Sequence, residues 1–254
     1  MLRLRVITAL ILAGGLVLTL AFASYPLQAC IFALVATAGA WEWATLAGAR
    51  SNWYRGAFAV GIPLLCFVLW SAVGLPDMGG AAAAQPFLAA SAFLWSVMLL
   101  GLKYYPAGQG IWQLVIVRAF LGLAILSSTW LAVVTCLIMS NGAFVVFAMI
   151  LTVAAADVGA YFVGRRFGRH ALAKSISPGK TWEGFWGGLL SVVLLTTITW
   201  QALPPAYVHL GFGSLLALGL ATAGASVVGD LTVSLLKREV GVKDSGSLLP
   251  GHGG

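Results

Sequence analysis

Two stretches of this chain gather residue types suited to handling phosphate. In Ser175, Ile176, Ser177, Pro178, Gly179, Lys180, Thr181, Trp182, Glu183 and Gly184, hydroxyls, a glycine-freed backbone and a lysine stand just before a long apolar run. A helix starting there would offer unpaired N–H groups and a partial positive charge beside that lysine, which favours phosphate. The second stretch holds Lys237, Arg238, Lys243, Asp244, Ser245 and Gly246, then Pro250, Gly251, His252, Gly253 and Gly254. It adds cations, an acid and a flexible backbone. Neither stretch is a Walker A loop or a GxGxxG turn after a strand. Three acids, Glu42, Asp157 and Asp230, lie inside apolar runs. Together with the basic stretches they suggest a divalent ion held by aspartate oxygens with phosphates above it. Mg²⁺ favours that arrangement, because it keeps water and phosphate ligands beside one or two carboxylates. Phosphoryl or nucleotidyl transfer is the chemistry that follows, since it demands positioning and charge neutralisation more than a protein nucleophile.

The elements that must position these groups are membrane helices. Of 254 residues, 61% are hydrophobic and 8% charged, far from the globular average of about 45–50% and about 25%. With 14 Lys/Arg and 7 Asp/Glu the chain cannot cover a water-soluble globule of this size, whereas lipid-facing helices need no such cover. Disorder is excluded by the same composition. Apolar stretches of about 20 residues exclude the ten-residue alternations of a transmembrane barrel. The expected fold is all-α and polytopic, with eight transmembrane helices at 6–23, 27–47, 56–75, 86–102, 119–139, 143–164, 184–203 and 212–236. It is expected to be a single membrane domain, 1–140 forming a lipid-facing scaffold and 141–254 the catalytic helices and loops.

Threading the chain alternately across a bilayer puts all 14 basic residues on one side: Arg3, Arg5, Arg50, Arg55, Lys103, Arg118, Arg165, Arg166, Arg169, Lys174, Lys180, Lys237, Arg238 and Lys243. The opposite turns hold none. By the positive-inside rule the basic side and both termini are cytoplasmic. A cleavable signal peptide, suggested by Arg3, Arg5 and the Ala21-Phe22-Ala23 ending, is disfavoured by a run longer than a usual h-region with seven more spans behind it. Cys30, Cys66 and Cys136 stand alone in separate apolar runs and read as packing residues.

An ionisable group inside a span is a functional candidate, because its burial in hydrocarbon costs about 2.5 kcal/mol or more. Arg50 follows Glu42 by eight residues, Arg165 follows Asp157 by eight and Lys237 follows Asp230 by seven. Counted from those cations, the three acids share one depth, about 10–12 Å in, and are expected to line a polar cavity open to the cytoplasm. Ser226, Asp230, Ser234 and Lys237 are spaced to form one helical stripe, and Asp157 and Tyr161 are likewise i, i+4.

These residues resemble the phosphatidate cytidylyltransferases, or CDP-diacylglycerol synthases. One matching block runs through Asp157, Tyr161, Gly164, Arg165, Phe167, Gly168 and Ile176 to Gly184; the other runs through Gly229, Asp230, Leu231, Ser234, Lys237, Arg238, Gly241, Lys243, Asp244, Gly246 and Leu249 to Gly254. The resemblance implies condensation of CTP with phosphatidic acid to CDP-diacylglycerol and pyrophosphate, using Mg²⁺, at the cytoplasmic face of a bacterial inner membrane. It implies Asp230, Lys237, Arg238 and Lys180 as the catalytic set, with Asp230 and Asp244 on the metal. Ser177, Thr181, Ser234, Lys243 and His252 would hold phosphate or pyrophosphate, and Asp157 and Glu183 would orient cations or a second metal ion. No nucleic acid is expected as a partner, and a homodimer is compatible with the sequence.

A transporter moving ions or protons past Glu42, Asp157 and Asp230 is the main rival from another class. It leaves the Ser177–Glu183 and Lys243–Gly254 stretches without a use. A CDP-alcohol phosphotransferase would carry paired DGxxAR and DxxxD motifs, and these are absent. In similar proteins the second block continues past His-Gly-Gly with Leu-Asp-Arg-x-Asp and a final helix. The 254-residue chain is therefore expected to turn over CTP poorly. Labelled CDP-diacylglycerol formed at the rate of a polypeptide extended through such a run would refute that expectation.

Overall fold

The computed structural model describes residues 2–201, 203, 211–246 and 248, apart from the side chains of residues 2–6 and Met78. Each predicted apolar run is a long helix: α1 (Leu2–Phe22), α2 (Tyr25–Leu46), α3 (Asn52–Val73), α4 (Met78–Tyr104), α6 (Val115–Ile138), α7 (Gly142–Phe167), α8 (Trp182–Trp200) and α9 (Phe212–Val240). A short α5 (Gln109–Gln113) precedes α6, and a two-stranded antiparallel hairpin, β1 (Ala171–Ala173) and β2 (Ser177–Thr181), joins α7 to α8. The hairpin stands where the sequence suggests only a loop. Among the described residues, α2, α3, Gly79–Tyr104 of α4, α6, α7 and α9 are long and apolar enough to cross a bilayer. Large apolar side chains such as Phe67, Phe93, Ile116 and Ile198 lie on the surface, at 70% to 76% exposure. That is the surface of a protein whose solvent is lipid, and the chain is an integral membrane protein.

Packing divides the described chain into two units. The first takes the residues up to Ala143 together with those from Leu236 onward. Its core is built on α2, α3 and α6, where small residues (Ala29, Ala40, Ala59) let Ile62, Trp130, Leu131 and Val134 interdigitate. Buried tryptophans need a partner for the indole N–H. Trp130 Nε1 donates to the Ala29 carbonyl and Trp43 Nε1 to the Arg118 carbonyl, each at 2.9 Å, which pins α6 to α2. Ser91 donates to Ser128 at 2.9 Å and ties α4 to α6.

The second unit, Phe144–Leu235, packs α7, α8 and α9 around Ala156, Val192 and Ala223. Without a hydrophobic drive between helices in lipid, small residues that let backbones approach supply the association. A Cβ on Gly188 would stand 2.8 Å from the Ala156 carbonyl oxygen, and one on Gly184 would stand 2.9 Å from that of Ala160. A Cβ on Gly187 would collide with Val163 Cβ. On α9, Gly219 offers the same accommodation to Val192 and Thr196.

Gly187→Ala sets two effects against each other: a helix-propensity gain of about 1 kcal/mol and an overpacking cost of about 1–3 kcal/mol. The collision is with a branched Cβ that has no flexible end to swing away, so the cost wins. Thermal unfolding in detergent should show Gly187→Ala melting several degrees below the parent. Gly224→Ala, where the added carbon meets nothing within 4 Å, should melt no lower than the parent.

Candidate functional site

The hairpin is what brings a cation to the membrane acids. Ala171 pairs with Thr181 and Ala173 with Ser177, and the Trp182 N–H donates to the His170 carbonyl at 2.9 Å. Each strand of a two-stranded ribbon has one unpaired edge, which is where a proline such as Pro178 is tolerated. Ile176, 3% exposed, roots the turn. Thr181 then caps α8: its Oγ1 accepts the Gly184 N–H at 3.1 Å. Such a cap is worth about 1 kcal/mol and fixes the angle at which β2 enters the helix.

One residue before that cap, Lys180 forms an ion pair with Asp230 of α9. Both line a cavity of about 340 Å³ with Asp157, Tyr161 and Arg165 of α7, Thr181, and the apolar Leu172, Phe185 and Val227. Gly164, Gly179 and Gly184 form bare patches of its wall. Arg165 Nη1 donates to the Tyr161 hydroxyl at 2.8 Å. The polar lining thus has two carboxylates and two cations. The Lys180 and Asp230 side chains are 29% and 59% exposed, so their pairing adds little stability, of order 0.2–1 kcal/mol. What it does is hold an ammonium and a carboxylate together over open space.

Of the residues singled out from sequence, Asp157, Lys180, Thr181 and Asp230 meet in this cavity. Ser177 begins β2, and Ser234 lies one turn beyond Asp230 on α9. Lys237 and Arg238 occupy the last turn of α9, where cations suit the helix dipole. Exposed Lys243 and Asp244 follow it. These last four belong to the first unit. His252 lies outside the described residues. Arg165 is the cavity residue given no role from sequence, although it shares a helical face with Asp157 and Tyr161 at i+8 and i+4.

The three acids differ in depth along their own helices. Asp157 and Asp230 each lie ten residues before the last residue of α7 and α9, about 15 Å along the axis, but Glu42 lies four before Leu46, about 6 Å. The shared level expected from the cations does not hold for Glu42. Its Oε1 accepts the Leu248 N–H at 3.0 Å within the first unit.

Glu183 has local work. Its Oε2 accepts the N–H groups of Arg169 at 3.1 Å and His170 at 3.2 Å, and its Oε1 lies 2.6 Å from His170 Nδ1. Those hydrogen bonds, chiefly the backbone bond from Arg169 and the side-chain bond from His170, lower its pKa from 4.5 to about 2. Because the folded value lies below the unfolded one, the unfolded chain binds protons first as pH falls. The anchoring is complete above about pH 4.5 and fades toward pH 2. Hydrogen exchange at the Arg169 and His170 amides should show protection that is constant above that range, declines through it, and is absent at every pH in Glu183→Ala.

Residues 3–254 match the cytidylyltransferase family. The chain is 38% identical over 270 residues to a phosphatidate cytidylyltransferase of Pseudomonas aeruginosa, covering all of this chain and 90% of that protein. A phosphatidate cytidylyltransferase of Haemophilus influenzae is 32% identical over 276 residues, covering all of this chain and 92% of its own length. One from Mycobacterium tuberculosis is 44% identical over 114 residues, 45% of this chain and 34% of that protein.

Proposed function

The chain belongs to the cytidylyltransferase family, and from that premise we infer that this membrane nucleotidyltransferase moves the cytidylyl group of CTP onto phosphatidic acid, releasing pyrophosphate. The observation that carries the reading to a site is the Lys180–Asp230 pair on the wall of a cavity that also holds Asp157 and Arg165. Nothing in these likenesses favours transport past Glu42, Asp157 and Asp230.

The reaction joins two anions. An oxygen of the phosphatidate phosphate bonds to the α-phosphorus of CTP, and the bond from that phosphorus to the bridging oxygen of pyrophosphate breaks. A phosphate monoester has its second pKa near 6, so the attacking oxygen is largely ionised at neutral pH and needs no protein base. The barrier is then one of charge and orientation. Lys180 and Arg165, both lining the cavity, supply positive charge. The Thr181 hydroxyl has its lone pair committed to Gly184 but keeps its O–H to donate to a phosphate oxygen. Ser177 and Ser234 complete the proposed phosphate contacts of this unit, and Lys237, Arg238, Lys243 and His252 keep the phosphate roles that the resemblance implies.

The donor set fits Mg²⁺. Two carboxylates on one cavity wall, with no larger acid or histidine cluster among the described residues, leave positions for water and phosphate, the coordination this ion prefers. Asp230 would hold it, with Asp157 and Glu183 orienting nearby cations. When bound, the ion neutralises phosphate charge and orients the triphosphate. The cavity is read as facing the cytoplasm of a bacterial inner membrane, because alternate threading puts every basic residue on that side.

Lys180→Met separates catalysis from stability. Labelled CDP-diacylglycerol formation in membranes should fall by about 10²–10³ relative to the parent, the loss typical of one preorganised electrostatic group. Asp230→Asn should lose as much. Thermal unfolding of Lys180→Met should stay within about 1 kcal/mol of the parent, and an active Lys180→Met protein would end the assignment.

A further inference from the structure

The Glu42 carboxylate sits in α2 between Trp41 and Trp43, with the Leu248 N–H as its polar partner among the described residues. A carboxylate so placed calls for a hydrogen-bond partner, and an N–H donated to a carboxylate is among the stronger bonds. The contact does not stop at Leu248. The space where a side chain on Gly246 would go is filled by Glu42, since a Cβ there would overlap its Cγ, Cδ and Oε1. Gly246 has no left-handed φ, so its bareness is explained by that approach and not by its backbone. Between the end of α9 and this contact lie Lys243, Asp244 and buried Ser245. Nearer the helix, Tyr105 hydrogen-bonds Glu239. Burial, with that carboxylate beside it, pushes the Tyr105 hydroxyl pKa up. The strand of chain carrying Lys243 and Asp244 is therefore tied at both ends to the N-terminal helices.

We propose that Glu42 is a positioning residue: it fixes the 243–246 segment by accepting the Leu248 amide and seating Gly246, and so holds in place Lys243 and Asp244, the two residues read above as nucleotide and metal contacts. This rests on the reading of those two residues given above. Glu42 touches neither substrate nor metal. Its acceptor oxygen matters and its charge matters less, which sets it apart from Asp230.

Two measurements test this. In a background with Cys30, Cys66 and Cys136 replaced by alanine, oxidation of membranes carrying Glu42→Cys with Gly246→Cys should remove both thiols from maleimide labelling. Persistence of free thiols would overturn the contact. In the transfer assay Glu42→Ala should raise the KM for CTP about tenfold or more, as expected for loss of a hydrogen bond to a charged group. Glu42→Gln, which keeps the acceptor, should stay within about threefold of the parent on the same grounds. Gly246→Ala should be impaired and partly rescued by adding Glu42→Ala, which clears the space. A KM unchanged in Glu42→Ala would overturn the proposal. So would a Glu42→Gln as impaired as Glu42→Ala, because the charge itself would then be the working part. If the parent makes no CDP-diacylglycerol, the assigned activity fails, while the oxidation result still decides whether Glu42 anchors the segment.

Discussion

Where α7 meets α8, main chain lies almost on main chain. Gly188 faces the Ala156 carbonyl, Gly184 faces those of Ala160 and the Gly164 backbone, and a Cβ on Gly159 would stand 2.8 Å from the Gly187 carbonyl oxygen. In lipid no hydrophobic drive pushes two helices together, so contact of this kind must come from dispersion between closely fitting backbones. The same approach sets the geometry of the cavity. It brings the start of α8, and so the Thr181 cap and Lys180 just before it, beside the stretch of α7 that carries Asp157, Tyr161 and Arg165. A larger side chain on this seam would displace the cation and the acids together.

The charge balance of the cavity supports a role in binding over one in stability. Two carboxylates face two cations, so the wall is near neutral without a ligand. That is economical for the fold, because an unpaired charge in a membrane helix is expensive. A nucleoside triphosphate and a lipid phosphate bring several negative charges that this set does not neutralise. On the proposed reading, a divalent ion beside Asp230 would supply the remaining positive charge with the least change to the protein. On the same reading Asp230 would hold such an ion, which would leave Lys180 to face phosphate.

Much of this was legible in the sequence. Apolar runs bounded by polar or Gly/Pro clusters located the long helices to within a few residues at most ends. The main exception is α4, which begins eight residues before its expected start because the small side chains of the alanines at 81–84 barely register as an apolar run, yet alanine is the strongest helix former. Asp157, Lys180, Thr181 and Asp230 were found from residue type and spacing. The hairpin was not, since three- and five-residue strands containing Pro178 and Gly179 show no alternation to detect. Arg165 reads in the sequence as one of several basic residues after Asp157, and its place two turns along α7 from Asp157 on the same face is the signal that marks it.

Glu42 shows why three similar acids required different readings. Counting residues to the next cation assumes that the helix runs as far as the cation. It does so for Asp157, where α7 continues through Arg165 to Phe167, and for Asp230, where α9 continues through Lys237 to Val240. It fails for Glu42. There α2 ends at Leu46, and Gly48, at a φ of 84°, turns the chain away before Arg50 is reached. Glycine just past a helix end is a recognised terminator, and α9 obeys the same rule at Gly241, φ 73°. Depth in the membrane is therefore better counted from the terminating glycine than from the charge behind it. By that count Glu42 is a shallow acid within reach of the segment that follows α9, suited to gripping a backbone amide, while Asp157 and Asp230 are deep enough to need a cation.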